Sequence, residues 1–582
     1  MKTGLLALTL IVSFPLLYSC EGLNLVQIED PSENPSDNPS EDNQPASYDW
    51  TGNDPIYAMF KDNSFFTDMD SYREEDTYIR KVFLLSEFCS DNICLSGYST
   101  DPFFSTVILR NTAMNDKFLW DMGKAIIQAA NSGITYLTSG VKENPHALGE
   151  DFFFRAIVNF HLVTMYAKPY CLGRENPGIP LWLTANAQAT PVATVGEVYD
   201  QIIADLNAAS TNLKTRAEIG ANAGIVCREA ALALKTRVLL YMEQNDECLA
   251  LCDELLNSFS AIPLDTDLDG YFQNASSRAE TLWCIKHDAN ESKGLFSIGS
   301  MYYVGDIGNW QVIDFEYGSW AEANWSDPLM ELFLRYPEDK RFKAFFHQML
   351  PKNDGTKMVH WPVLNLASSS PNYSYGSNIL IAGDDGAPLD AQGNLTFTIH
   401  NTTTGDSIQY TTFTEIENTY PVHYIIYNGE KTRVYIRDNI NTEAVRFNYP
   451  LYMTNKFSGQ NGICNLSSPV ILRWAEVVLN RAEAAAKLGR YEQALADVNL
   501  IRRRAGLTGE KQMTMSNYQS RGYGQILDVV LDERRMEFCF EGLRTNDLIR
   551  NRKPIDRRFA GIHPWEVIQY NDSRLQHIQP RE

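Results

Sequence analysis

The sequence contains no Cys-x-x-Cys and no His-x-x-x-His pair, so the common ligand spacings of zinc sites are missing. It has no Gly-x-Ser-x-Gly nucleophile elbow and no phosphate-binding loop, which removes the simplest hydrolase and nucleotide-binding readings. Past the first twenty residues it has no apolar run of about 20 residues, the length a membrane-crossing helix needs. Positive charge is short: 50 Lys and Arg against 73 Asp and Glu leave a net charge of −23. Such a surface repels phosphates, so nucleic acid is excluded as a partner. The basic runs Arg502–Arg504 and Arg557–Arg558 are too brief to change that and read as helix ends or ion-pair partners. Nine cysteines follow Cys20, an odd number at irregular spacing, which is no disulfide framework. Cys89 and Cys94 could pair across a loop, whereas Cys248 and Cys252 share one helical face and read as small core residues.

What is present begins with "MKTGLLALTLIVSFPLLYSCEG". Lys2 gives a short positive start, Leu5 to Leu17 an apolar stretch, and small Ser19 precedes Cys20. Leu17-Tyr18-Ser19-Cys20 resembles a bacterial lipobox, although Tyr18 is bulkier than the usual residue. The resemblance implies removal of residues 1–19 as a signal peptide and acylation of Cys20, with palmitate-type chains holding the protein on a membrane. "EDPSENPSDNPSEDNQP" follows, with no apolar residue to bury, so residues 20–47 read as a lipid-anchored disordered linker.

Beyond it, helical patterning dominates. Phe152 to Ala167 is apolar almost all round, as a buried helix requires. Thr194 with Glu197 three residues later is a capping box for the helix that continues through "VYDQIIADLNAAS". Residues 227–257 and 471–507 share one plan: a long helix, a tight polar turn, and a second helix. Small Ala482, Ala485, Ala494 and Cys248 sit at the crossing positions, the packing logic of tetratricopeptide hairpins. Gly489-Arg490-Tyr491 supplies one turn. From about 355 to 460 the period changes, and Asn428-Gly429 between β-rich runs in 423–437 predicts a hairpin. A loop-and-strand insertion on a helical scaffold is the expected result.

"LDERRMEFCFEG" (531–542) places Glu533, Glu537 and Glu541 four apart, one acidic stripe on a helix. Asp532 with Arg535, and Glu533 and Glu537 near Arg534, are expected to form an ion-pair network, with Gly542 ending the helix.

Two stretches then identify a relationship. "VILRWAEVVLNRAEAAAKLGRYEQALADVNLIRRRAGL" (470–507) and "ILDVVLDERRMEFCFEGLRTNDLIR" (526–550) resemble the closing motifs of the SusD/RagB family of outer-membrane nutrient-binding lipoproteins. "DFFFRAIVNFHLVTMYAKPY", "VYDQIIADLNAA" and "DPLMELFLRYPEDKRF" occur upstream in the family's order, and "HIQPRE" is similar to its usual ending. Gln579 before the proline and Phe457 after Lys456 depart from the pattern. The resemblance implies a mostly α, SusD-like fold with four tetratricopeptide-like helical hairpins plus long loop and short-strand insertions. It would occupy residues 48–582, with a helical part to about 260 and a second part from about 261. It also implies a surface lid on a SusC-like TonB-dependent transporter, most members capturing glycans and some peptides. No cofactor and no catalytic residue are implied, and the acidic-arginine motif is a packing signature in this family.

For ligand contact the strongest stretch is residues 301–325, which carries Tyr302, Tyr303, Trp310, Tyr317, Trp320 and Trp325 among Gly, Asp and Asn without helix or strand period. Flat aromatic rings stack on the C–H faces of sugars, and neighbouring polar groups bond the hydroxyls. Trp310 and Trp320 lead; Tyr98 and Trp361 are weaker candidates, and Trp325 adjoins a helix that could bury it. Asp265, Asp267 and Asp269 open like a calcium loop, but the twelfth position is Ser276 where a bidentate Glu belongs, which favours an acidic turn. A surface glycan hydrolase stays open as an alternative; it would need two carboxylates facing the aromatic stretch.

Cys20→Ala is expected to leave the protein unprocessed or soluble, read by membrane fractionation in cells lacking the transporter. Continued membrane association of the variant would overturn the lipoprotein reading.

Overall fold

In the computed structural model the residues described are 55–62, 77–95, 117–187, 190–302, 323–348, 351–364, 376–381, 389–400, 405–440, 452–559 and 566–575. Cys20 and the linker lie outside them. Helices are the main regular element of the described residues: α1 (Pro55–Lys61), α2 (Tyr78–Glu87), α3 (Lys117–Thr138), α4 (Pro145–Tyr166), α5 (Val195–Asn212), the single turn α6 (Arg216–Ile219), α7 (Arg228–Tyr241) and α8 (Asn245–Asn257) come first. After them come α9 (Asp327–Leu334), α10 (Lys340–Phe345), α11 (Trp474–Lys487), α12 (Tyr491–Arg504), α13 (Ile526–Phe538) and α14 (Arg544–Arg550). None of the described helices is long and apolar enough to cross a membrane.

Local chemistry sets the boundaries. Asn144 caps α4 by accepting from the Ala147 amide, with Pro145 in the first turn, so the helix starts seven residues before the apolar run at Phe152. Thr194 and Glu197 form the expected reciprocal box at the start of α5, the Glu197 carboxylate accepting from the Thr194 amide at 2.7 Å. Gly489 turns between α11 and α12 at φ 75°, a left-handed conformation that a side chain would strain.

The helices then pack in succession: α3 on α4, α4 on α5, α5 on α7, α7 on α8, α8 on α11, and α11 on α12, with α13 against the last two. Both sequence-predicted hairpins, 227–257 and 471–507, are present as α7–α8 and α11–α12. Ala482, Ala485, Ala494 and Cys248 are all fully buried, as close helix approach requires. One apolar core runs through this array from Ile56 to Leu543. Cys248 and Cys252 lie in it as thiols with sulfurs 4.0 Å apart. Cys89 and Cys94 do not pair: the first thiol turns to the Leu85 carbonyl and the second to that of Trp325.

Short strands tie the array together. In chain order they are β1 (Ile93–Leu95), β2 (Pro177–Pro180), β3 (Val192–Thr194), β4 (Thr281–Cys284), β5 (Ala323–Trp325) and β6 (Phe346–Gln348). The insertion follows as β7 (Lys357–Leu364), β8 (Gly376–Ile381), β9 (Thr396–His400), β10 (Ser407–Thr411), β11 (Phe413–Glu417), β12 (Tyr420–Tyr427) and β13 (Glu430–Asp438). Five of these make an antiparallel sheet in the order β11-β12-β13-β7-β8. Asn428 and Gly429, both at positive φ, close the predicted β12–β13 hairpin.

The sheet has two different faces, as the period of two requires. One docks on α9 through polar contacts: Arg437 pairs with Asp327 at 2.7 Å, the His360 ring lies 3.3 Å from the same carboxylate, and Arg433 pairs with Glu331 at 2.7 Å. Burial alone would raise Asp327, but His360 and Arg437 outweigh it and hold the carboxyl below its ordinary value. The other face is apolar. Val359, Trp361, Ile425 and Val434 are covered by Leu395 and Phe397 at the β9–β10 ribbon.

Ala485→Leu is expected to lower stability by about 1–3 kcal/mol, because a fully packed helix crossing cannot accept three extra carbons. A thermal melt of the variant reads this. An unchanged midpoint would mean the helices do not approach as closely as drawn.

Candidate functional site

The acidic stripe is the most highly charged interior feature, and its chemistry decides what it can do. Glu533 and Glu537 stand one turn apart on α13, and Glu541 lies just beyond the helix end. Their partners come from other elements, not from the neighbouring arginines the sequence suggested. Glu537 is met by Arg473, at the start of α11, at 2.5 Å, by Arg341 of α10 at 3.2 Å, and by Arg504 at the end of α12. Glu533 takes Arg341 at 2.7 Å and Arg502 at 3.0 Å, while Glu541 takes Lys456 at 2.6 Å and Arg473 at 2.9 Å. Arg534 turns to Asp547, and Arg535 to Asp91, which also holds Arg544. Of the basic runs, Arg502 and Arg504 are therefore buried partners, and buried Arg557 donates to the Cys89 carbonyl.

Burial would raise Glu537, but Arg504, Arg473 and Arg341 outweigh it and keep its carboxyl well below the ordinary range. Glu541 is likewise held down by Arg473 and Lys456 against the effect of burial. A carboxylate surrounded by guanidinium groups and shut from solvent neither donates nor collects a proton, so this cluster is architecture. The helix also ends earlier than Gly542: α13 stops at Phe538, and Phe540 and Gly542 both take positive φ in the turn that follows.

The aromatic candidates divide. Trp325 is fully buried in β5, its ring 5.2–5.3 Å from those of Phe333, Phe346 and Phe540. Trp361 is fully buried beneath the β9–β10 ribbon, 5.8 Å from Phe397 and 5.3 Å from Tyr427. Neither ring is available to stack on a ligand, so both leave the candidate set. Tyr302, the residue before Tyr303, is buried as well. Tyr98, Tyr303, Trp310, Tyr317 and Trp320 lie outside the described residues. Their points of departure are described, however. Residues 96–116 follow Leu95, residues 303–322 return at Ala323, and Leu95 and Ala323 are register partners across β1 and β5. Tyr98 and Trp320 are thus each three residues from one strand pair.

The acidic turn at 265–269 does not form a cation cradle. Arg278 pairs with Asp267 at 2.7 Å and Asp265 at 3.4 Å, while Asp269 faces Lys343 at 3.9 Å. A guanidinium occupies the place a calcium ion would need, and Ser276 sits in a short 3-10 segment. Among the described residues no group of three His, Cys, Asp or Glu is arranged to hold a metal ion.

Two adjoining cavities of about 40 Å³ each lie between α2, α4 and α14, sharing Ser86, Thr164, Met165, Tyr241 and Asn546 among their lining residues. Each is water-sized, far below the several hundred Å³ a sugar needs. Sequence reasoning did not foresee these cavities, since their walls come from segments far apart in the chain.

Comparison with known proteins gives two family matches in succession. Residues 75–240 match a family described as "Starch-binding associating with outer membrane", and residues 340–582 match the SusD family. No curated protein matches. Among solved structures, a SusD superfamily protein from Bacteroides thetaiotaomicron is similar with a TM-score of 0.60 at 17% identity, over 89% of this chain and 93% of that one. A SusD superfamily protein from Bacteroides vulgatus gives 0.58 at 20% identity over 90% and 92%. Surface glycan-binding protein A from Bacteroides uniformis gives 0.53 at 17% identity over 81% and 82%. At these identities the likeness is one of fold.

Glu537→Ala is expected to cost about 1–3 kcal/mol, because Arg341, Arg473 and Arg504 each lose one of their buried carboxylate partners. Melting of the variant tests this; an unmoved midpoint would remove the structural role. The parent protein should also weaken in acid. Glu537 is depressed in the fold, so its contribution is complete above the ordinary value of 4.5 and is lost as pH falls through the lower folded value.

Proposed function

Because the chain belongs to the SusD/RagB family, we propose that it captures glycan at the cell surface and hands it to a SusC-like TonB-dependent transporter. The observation that carries this reading is the succession of the two family matches, one at either end of a single helical scaffold. The outer-membrane association in one family description and the glycan-binding neighbour from Bacteroides uniformis support it. In this reading Cys20 is acylated, the acidic linker spans from lipid to globule, and the bound oligosaccharide leaves unaltered.

The geometry favours a surface platform over an enclosed cleft. The two cavities between α2, α4 and α14 hold at most a few waters, and the buried carboxylates of the 533–541 motif are committed to arginine and lysine. The candidates for ligand contact are the aromatic residues of 96–116 and 303–322, a composition that suits weak, reversible capture of a flat sugar face. Trp310 and Trp320 are the assigned platform, with Tyr303 and Tyr317 beside them in sequence and Tyr98 on the segment that departs from the partner strand.

Affinity gels containing different polysaccharides identify the ligand, and calorimetry with that glycan measures the platform. Trp310→Ala and Trp320→Ala should each weaken binding by about 5- to 150-fold, from the roughly 1–3 kcal/mol that a stacked ring contributes in the analogous base-stacking case. Melting curves should hardly move. Full affinity in both variants would transfer the site to Tyr98, since Trp325 and Trp361 are interior.

A further inference from the structure

α2 meets the segment before α14 in a joint that is closed at one point and hollow beside it. Glu87, the last residue of α2, accepts from the Gly542 amide at 2.9 Å, and Asp91 pairs with Arg544 at 2.8 Å. A Cβ on Gly542 would stand only 3.1 Å from that of Ser86. Ser86 and Gly542 also line the second of the two cavities of about 40 Å³. The hollow therefore borders a contact already at its closest approach, and α2 cannot fill it by moving toward Gly542.

The walls are only partly apolar. Leu85, Met165 and Ile549 contribute apolar surface to the first cavity, but each of the three helices also presents a hydroxyl: Ser86 from α2, Thr164 from α4 and Thr545 from α14. Ser86 donates to the Val82 carbonyl at 2.6 Å and Thr164 to the Phe160 carbonyl at 2.8 Å, so both oxygens keep lone pairs free to accept. Thr545 stands apart. It is 3% exposed, and its hydroxyl has no hydrogen-bond partner among the described residues. Asn546, one residue on, lines both cavities and makes no side-chain hydrogen bond among the described residues either. A buried hydroxyl left unpaired is unfavourable, so one that faces a cavity points to an occupant able to bond it.

The charges in the walls narrow the occupant. No carboxylate lines the first cavity, and Glu541, which lines the second, is held by Lys456 and Arg473, so a cation finds no ligand set. Arg550 in the first wall is bonded to Glu483 and Asp547, and Arg237 in the second is paired with Glu476 at 2.6 Å, so neither is free for an anion. An apolar guest would leave the Thr545 hydroxyl unpaired.

We propose that the two cavities form one hydration site, in which ordered water ties α14 to α2 and α4. Water has two protons and two lone pairs; Ser86 and Thr164 offer it acceptors, and Thr545 and Asn546 offer it donors. Each cavity exceeds the roughly 10–15 Å³ that a single water requires, and a larger hydrogen-bonding molecule does not fit. The bound water completes the joint where direct contact between the helices stops.

A crystal structure of the protein, at a resolution that shows individual waters, tests this directly. Ordered water should lie within hydrogen-bonding distance of Thr545 Oγ1 and of two of Ser86, Thr164 and Asn546. A dry cavity, a cavity filled by rotated side chains, or a Thr545 hydroxyl bonded to a carbonyl would overturn the site. Thr545→Val gives a second reading through its sign. Both side chains are branched at Cβ, so the change replaces only the hydroxyl. With water bound, the variant loses a hydrogen bond, and its melting midpoint should fall by about 1–3 °C. In a dry cavity the same change removes an unpaired polar group, so a raised or unmoved midpoint counts against the water. The crystal structure decides alone if the variant fails to fold. The site lies within the scaffold, and its outcome leaves the glycan reading where it stands.

Discussion

The helices α10 to α13 are arranged around one carboxylate, Glu537. Three guanidinium groups converge on it, from α10, from the end of α12 and from the residue that caps α11, and each is also committed elsewhere: Arg341 to Asp339 and Glu533, Arg473 to Glu280 and Glu541, Arg504 to Glu280. Desolvating that many charges is costly, and the cost is met only when every partner is in place. The network therefore fixes where α10, α11, α12 and α13 sit relative to one another more narrowly than apolar contact does, because methyl groups slide where bidentate ion pairs cannot. A buried charge lattice of this kind trades stability for definition.

That lattice also explains what the sequence revealed and what it withheld. Thr194 with Glu197, Gly489, and Asn428-Gly429 were legible because the chemistry that makes each feature lies within a few residues. The hairpins were legible from the small residues at their crossings, which have no other reason to recur. The partners of Glu537 were not: Arg504, Arg473 and Arg341 lie 33, 64 and 196 residues away, and the nearest arginines in sequence, Arg534 and Arg535, serve other acids. Gly542 looked like a helix stop, yet Cys539 already leaves the helical conformation, as Phe540 is drawn aside by Glu87.

The candidate site was read less well than the fold, for a related reason. Trp325 and Trp361 were candidates by residue type, but burial depends on what the rest of the chain lays over them. For Trp361 the cover is a second ribbon, β9–β10, and for Trp325 it is three phenylalanines from three different segments. The acidic turn at 265–269 failed as a calcium loop because Arg278 lies within reach of it. The scaffold is recorded in packing motifs, whereas the burial of a single ring is decided by segments distant in sequence.

The span of the contacts around α2 bears on how such a chain comes to be folded at all. Asp91 meets Arg544, and Glu87 meets Gly542, across 453 and 455 residues. The second described helix is therefore completed by almost the last one. Closing a loop of that length is entropically expensive and kinetically late. Until residues near 540 emerge, Arg535 and Arg544 are absent, Asp91 has no counter-charge, and the early helices lack the wall they pack against. A chain built in this way completes the packing around α2 only when residues near 540 are available, whereas the succession from α3 to α8 needs only its own neighbours.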